Sequence, residues 1–257
     1  MSATPLRLGV FGATGRLGAR VVAAAQASPE WVVARALGRA VSDAEPHAHA
    51  FADCDVVVDV ALPEATDALL ERLGSSGVPL VTGVTGRTPA QRAALDAYAT
   101  RAAVLSASNF SVGVALLRHL TELAARAVDW DAEVFEVHHR RKADAPSGTA
   151  WTLGEAVAQG RGLPWPDAAR APRESGARGG DEVGLSAARG GDVVGEHTVF
   201  FFGEAERIEL THRATDRGVF ALGALRAAQF LVGQPPGHFS MRDVVRLSMP
   251  GALDVIG

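Results

Sequence analysis

The chain is poor in the residues that mark specialised protein classes. Its 257 residues hold one cysteine, Cys54, which excludes an intrachain disulfide framework and fits a reducing compartment. Cys54 stands in Asp-Cys-Asp-Val-Val-Val at a strand entrance and reads as a buried structural thiol, not a nucleophile. No apolar run is long enough to cross a bilayer. The opening Met-Ser-Ala-Thr-Pro-Leu-Arg-Leu-Gly-Val lacks the charged segment and apolar core of a secretion signal, so the expected location is cytoplasmic. Basic excess is missing too. Lys+Arg number 25 against 29 Asp+Glu, a formal net charge of -4, so no basic field argues for a nucleic-acid partner. Repeats and low-complexity tracts are also lacking.

What remains is ordinary globular composition, 47% hydrophobic and 21% charged, in a chain long enough for two modest domains. Short apolar runs at Leu6 to Phe11, Trp31 to Leu37, Val56 to Val58, Val78 to Thr82 and Ala103 to Ser106 predict five strands. Helical patterns lie between them, notably Glu64 to Leu73 and Pro89 to Arg101. Such alternation implies a parallel, doubly wound α/β sheet. The rhythm then changes. A helix over Val112 to Ala127 leads to a strand over Ala132 to His138 and a helix over Trp151 to Ala158. An irregular stretch follows from Arg161 to Asp181, long enough to suggest a mobile or a binding loop. Runs at Val183 to Ala188, Val194 to Phe202 and Arg207 to His212 predict successive strands of an antiparallel sheet. Phe200-Phe201-Phe202 can serve as core or as subunit interface. Val219 to Val232 is expected to be the last helix, with a short tail ending near Leu253, and the chain is expected to cross between domains near Asn109-Phe110 and Arg217-Gly218.

Gly12-x-x-Gly15-x-x-Gly18 joins the first strand to the first helix. Glycines there permit a tight turn and close approach of backbone to a pyrophosphate seated on the helix N-terminus, so this loop predicts dinucleotide binding. The second strand ends Ala36-Leu37-Gly38-Arg39. An NAD site usually carries Asp or Glu in this region for the ribose hydroxyls, and Gly38 cannot accept those bonds. Arg39, alone or with Arg16, can pair with a 2′-phosphate, which predicts a preference for NADPH over NADH. Gly83-Val84-Thr85-Gly86 and Ala107-Ser108-Asn109-Phe110 lie at carboxyl ends of strands, where such sheets bind ligands. Read alone, each is equally a plain turn.

The densest chemistry runs from Glu136 to Ala150: Glu-Val-His-His-Arg-Arg-Lys-Ala-Asp-Ala-Pro-Ser-Gly-Thr-Ala. Two histidines and three cations precede a Ser-Gly-Thr turn that opens a helix, a place where backbone N–H groups favour an anion. Ser147 is placed to cap that helix, leaving the amides of Gly148 and Thr149 for a carboxylate. His138 and His139 are adjacent at a strand end and point to opposite faces. That disfavours a shared metal, and no metal is expected. One histidine, or Lys142, is the candidate proton donor, while Arg140-Arg141 reads as a solvated basic loop.

His138-His-Arg-Arg-Lys-Ala-Asp-Ala-Pro-Ser-Gly-Thr-Ala150 closely resembles the substrate motif of dihydrodipicolinate reductases, also called 4-hydroxy-tetrahydrodipicolinate reductases. The likeness extends to Gly12–Gly18, Gly83–Gly86, Asn109-Phe-Ser-Val-Gly113, Arg189-Gly-Gly-Asp-Val-Val-Gly-Glu-His-Thr198 and Met241-Arg-Asp-Val244. The resemblance implies a Rossmann-like parallel-sheet nucleotide domain, residues 1–109 and 218–257, and a mixed α/β domain, 110–217, that binds substrate and builds a homotetramer. It implies reduction by NADPH or NADH of a small cyclic dicarboxylate in lysine and diaminopimelate synthesis. By this similarity His138 and Lys142 are acid–base residues. His139, Lys142, Ser147, Gly148 and Thr149 hold the substrate carboxylates. Gly12, Ala13, Thr14, Gly15, Arg16, Leu17, Arg39, Gly83, Val84, Thr85, Ala107, Ser108, Asn109 and Phe110 hold the cofactor. Four places depart from the family pattern, all on the cofactor side: Val60-Ala61 for Phe-Thr, Val84 for Thr, Ser108 for Pro or Ala, and Gly38 for an acidic residue.

Overall fold

The computed structural model describes residues 4–38, 49–171 and 176–248. The chain divides into two compact units, one running to Val112 and resuming at Gly218, the other Gly113–Arg217.

The first unit opens with β1 (Leu6–Phe11), α1 (Arg16–Gln26), β2 (Trp31–Leu37), β3 (Val56–Asp59), α2 (Thr66–Leu73), β4 (Leu80–Thr82), α3 (Pro89–Ala99) and β5 (Ala103–Ser106). In the second unit come α4 (Val112–Ala127), β6 (Asp131–His138), α5 (Gly148–Arg161), β7 (Ala169–Arg170), β8 (Val183–Arg189), β9 (Gly195–Phe202) and β10 (Arg207–Ala214). The chain then returns to the first with α6 (Gly218–Leu231), β11 (Gly237–Phe239) and α7 (Met241–Ser248).

Six parallel strands in the order β11-β5-β4-β3-β1-β2 form the first sheet. Its middle strands are apolar without alternation, and all four residues of β3 are buried, as a sheet covered on both faces requires. Leu69 and Leu73 of α2 and Leu95 and Tyr98 of α3 join Phe11, Val57, Leu80 and Val104 in one core. α1 and α6 pack together, α1 on β1 and β2, α6 on β3 to β5. Because every strand runs the same way, the loops after Phe11, Asp59, Thr82 and Ser106 gather at one edge.

The second sheet has the order β10-β9-β6-β8-β7. It is mixed rather than antiparallel: β9 runs antiparallel to β6 and β10, while β8 is parallel to β6 and β7. Successive strands β8 and β9 are not neighbours, since β6 lies between them. The reason is local. A crossover through α5 makes β6 and β8 parallel, and the short link after β8 then passes over the end of β6. Gly190 N–H donates to His138 O at 3.0 Å, and His139 N–H to Val193 O at 2.8 Å. α5 packs on β6, β8 and β9, burying Leu153 and Val157 against Val134, Leu185 and Val199.

The expected last helix is not the last: β11 adds a sixth strand beside β5, and α7 follows. Three residues, Gly-His-Phe, are too few to show a strand period in sequence. The tail near Leu253 lies outside the described residues.

Candidate active site

The glycine loop has the shape a dinucleotide needs. Gly12 has φ of +86°, and a Cβ there would stand 2.7 Å from the backbone nitrogen of Ala61. A Cβ on Gly18 would meet Gly12 O at 2.1 Å, so α1 starts against the loop with no room for a side chain. Gly15, the N-cap, offers no side-chain bond to the first turn of α1. The cradle fits a bound pyrophosphate: it lacks side chains where the group would lie and presents helix amides to it. Arg16 is exposed at the first position of α1, with Thr14 exposed and Ala13 and Leu17 half-buried. Gly38 is buried, and a Cβ on it would meet Thr14 Cγ2 at 2.4 Å. Arg39 lies outside the described residues.

The other two segments expected to hold the cofactor meet at the same edge. A Cβ on Gly83 would lie 2.7 Å from the Phe110 ring, and Ala107 N–H donates to Thr82 O at 3.0 Å. Asn109 Oδ1 accepts from Ser111 N–H at 2.8 Å, which shapes its own turn, while Ser108 and Thr85 are exposed. Beneath Val84 lies a buried polar knot. Arg87 reaches Asp59 Oδ2 at 2.7 Å, Thr82 Oγ1 at 2.8 Å, Thr66 Oγ1 at 2.9 Å and Val84 O at 3.1 Å. Burial pushes the Asp59 carboxyl up, opposed by bonds from Thr82 and Ala61 and by the Arg87 charge.

The second unit assembles its chemistry at the end of β6. Glu136, wholly buried, accepts from Arg189 Nη1 and Nη2 at 2.7 Å each, from His138 Nδ1 at 2.6 Å and from Ser147 N–H at 2.9 Å. Burial raises the Glu136 carboxyl, but those donors outweigh it and hold it below the usual carboxylate range. Arg189 Nη2 also donates to Asp144 O at 2.5 Å, anchoring the loop that carries Lys142. His197 crosses the His138 ring edge-on, centroids 5.1 Å apart, and bonds Ser147 Oγ at 3.1 Å. Its burial, with the nearby His138, lowers the His197 imidazole to about 4.

Ser147 caps α5 as expected, its Oγ accepting from Ala150 N–H at 3.2 Å. Gly148 has open space around it. Lys142 Nζ is held by both oxygens of Asp144 at 2.8 Å, and this bond lowers the Asp144 carboxyl. His139 points elsewhere from His138. Its Nδ1 is buried without a hydrogen-bond partner among the described residues. Partial burial and the charges of Arg217 and Arg141 keep its imidazole below the ordinary value.

The description Dihydrodipicolinate reductase, N-terminus, matches residues 6–110, and Dihydrodipicolinate reductase, C-terminus, matches residues 113–245. The chain belongs to the dihydrodipicolinate reductase family. The 4-hydroxy-tetrahydrodipicolinate reductase of Caulobacter vibrioides is 42% identical over 250 residues, covering 94% of this chain and 97% of its own. That of Stenotrophomonas maltophilia is 44% identical over 261 residues, covering 96% and 100%. The fold is shared with dipicolinate-bound dihydrodipicolinate reductase from Paenisporosarcina sp. TG-14, with a TM-score of 0.74 at 22% identity over 92% of this chain and 97% of that one.

As a dihydrodipicolinate reductase family member, the chain is an oxidoreductase with an NAD(P)H-binding Rossmann-type half. Its departures from the family pattern now have surroundings. Ala61 donates its N–H to Asp59 Oδ1 at 3.1 Å and lies against Gly12. Gly38 is filled by Thr14. Nothing in the structure explains Ser108.

The sequence does not mark Glu136 as a partner of His138, nor Asp59 and Arg87 as site residues, while Arg189 and His197 enter only as members of a family motif. For Glu136 a signal existed: two residues before His138 on a strand, it shares that face. Another lay in composition, since Lys142 is the single lysine of the chain. Arg87 carries no mark that separates it from the other arginines, and the motif that Arg189 opens does not reveal its partner.

Proposed function

We propose that this chain reduces 4-hydroxy-tetrahydrodipicolinate to tetrahydrodipicolinate with loss of water, at the expense of NAD(P)H, in lysine and diaminopimelate biosynthesis. The observation that carries the reading is the gathering of His138, Lys142 and the Ser147-capped start of α5 in a chain of this family.

When bound, the dihydronicotinamide supplies hydride to an electrophilic ring carbon. The chain's own residues do the rest. Gly148, Thr149, Ser147, His139 and Lys142 hold the two carboxylates, and the helix start and the ammonium neutralise them. His138 and Lys142 serve as the acid–base groups that quench the developing charge. Lys142 is favoured as the donor: every other Lys or Arg position in the chain is arginine, and a guanidinium cannot release a proton. NADPH is preferred, because Gly38 offers no carboxylate to the ribose and Thr14 occupies the space one would need.

The working form is a homotetramer in the cytoplasm, built on the sheet face where Phe135 and Phe202 are 38–39% exposed. Phe201 is core, and Phe200 stacks on Phe202 at 5.5 Å. No helix among the described residues is long and apolar enough to cross a membrane. The test is a coupled assay in which dihydrodipicolinate synthase makes the substrate in place. Oxidation of NADPH dependent on both proteins is expected, and none with folded protein would refute the reading. Light scattering tests the tetramer.

A further inference from the structure

The Glu136 carboxylate sits at the meeting point of three elements. It rises from β6 with no exposed surface, takes both arms of Arg189 from β8, and binds the Ser147 N–H at the start of α5. Its fourth donor is His138 Nδ1 at 2.6 Å. A carboxylate has about four acceptor positions, so it is saturated. A buried ion pair is weak evidence for stability, since an apolar pair of the same shape often serves as well. Retaining one here calls for a task that apolar groups cannot perform.

We propose that Glu136 is the positioning residue of the acid–base site: locked by Arg189, it fixes the tautomer and orientation of His138 and ties that ring to the carboxylate-binding start of α5. This rests on the reductase reading for the task of His138, but not for the geometry. An ionised carboxylate only accepts, so the proton between the two groups belongs to Nδ1, and Nε2 is the atom that exchanges its proton. The ring is also packed against β9. A Cβ on Gly195 would stand 2.8 Å from His138 Nε2, and His197 meets the ring edge from β9. The charged and titratable groups around the ring are Glu136 on its own strand, Arg189 on β8, His197 on β9 with His212 behind it on β10, and Lys142 on the loop that follows. Glu136 is the anion among them in contact with the ring.

The experiment is a ¹⁵N and ¹³C NMR titration of the histidine rings, with His138 assigned by its absence in His138→Asn. In the unsubstituted chain the neutral ring is expected as the Nδ1–H tautomer, and an Nε2–H tautomer would overturn the proposal. In Glu136→Gln the ring loses its anionic acceptor, so the Nε2–H tautomer should become populated, and Glu136→Asp should restore Nδ1–H. A tautomer unchanged in Glu136→Gln, with native circular dichroism, would sink the idea. Under turnover, Glu136→Gln should lower kcat about 10- to 100-fold, by analogy with carboxylates that orient metal-bound histidines, with substrate KM changed less than about threefold. Glu136→Asp, which keeps the charge, should recover part of that loss. The NMR readout needs no turnover. An inactive unsubstituted chain would therefore refute the reductase reading and leave the tautomer result standing.

Discussion

Arg87 and Asp59 form an ion pair at 2.7 Å with side chains only 6% and 2% exposed. The pair spans β3 and the loop after β4, and the same guanidinium holds Val84 O and Thr66 Oγ1. It therefore braces from below two of the loops at the carboxyl edge of the parallel sheet, the edge that carries the glycine loop.

Removing one partner leaves a buried, uncompensated charge. Arg87→Ala should cost about 3–5 kcal/mol of unfolding free energy, read as a lower urea midpoint with unchanged slope. The paired change Asp59→Leu with Arg87→Met should cost less than either single change. A loss below about 1 kcal/mol in Arg87→Ala would show that the pair does not brace the loops.

Cofactor choice is testable at Gly38. Gly38→Asp alone should raise KM for both NADPH and NADH, because its Cβ would fall 2.4 Å from Thr14 Cγ2. With Thr14→Gly the carboxylate gains room, and kcat/KM should then swing toward NADH. A higher kcat/KM with NADH in the unsubstituted chain would refute the expected preference at the outset.

His197 sets an acid limit on stability. Its imidazole titrates near 6.5 when unfolded and about 4 when folded, chiefly through burial. The unfolded chain therefore binds the proton more readily. The stabilisation is fully present above pH 6.5 and is lost as pH falls toward 4, about 3 kcal/mol in all. Denaturation between pH 7 and 4 should show this slope, and His197→Gln should flatten it. Equal slopes in the two proteins would count against a buried neutral imidazole.

Much of this architecture was legible in the chain before any coordinates, because the parallel sheet writes itself as uninterrupted apolar runs. Val56 to Val58 is such a run, and so is Leu8 to Phe11 after Arg7. The Ser147 cap was legible for a similar reason, since Ser-Gly-Thr after Pro146 is local chemistry. What escaped was non-local. Nothing near Val183 says that β6 will lie between β8 and β9. Nothing near Arg189 says that its partner is Glu136, 53 residues earlier. Pairings of that kind are made by topology, and a strand of three residues such as β11 has too few positions to display a period.

Lys142 separates charge from proton transfer. Lys142→Arg keeps the cation and should keep substrate KM within a few-fold, yet lose about 10²- to 10⁴-fold in kcat, the usual worth of a general acid. Lys142→Cys alkylated with bromoethylamine restores an amine of lower basicity and should recover activity with the pH profile shifted to lower pH. Cys54 will not interfere, since burial and Asp53 push its thiol to about 12. Near-normal turnover by Lys142→Arg would assign the residue to binding alone.

The missing side chain at Gly195 ties together two positions far apart in sequence. A Cβ there would stand 2.8 Å from His138 Nε2, so even a methyl group at 195 must push the imidazole at 138 off its place between Glu136 and His197. A change at one of the two positions is therefore expected to call for a change at the other.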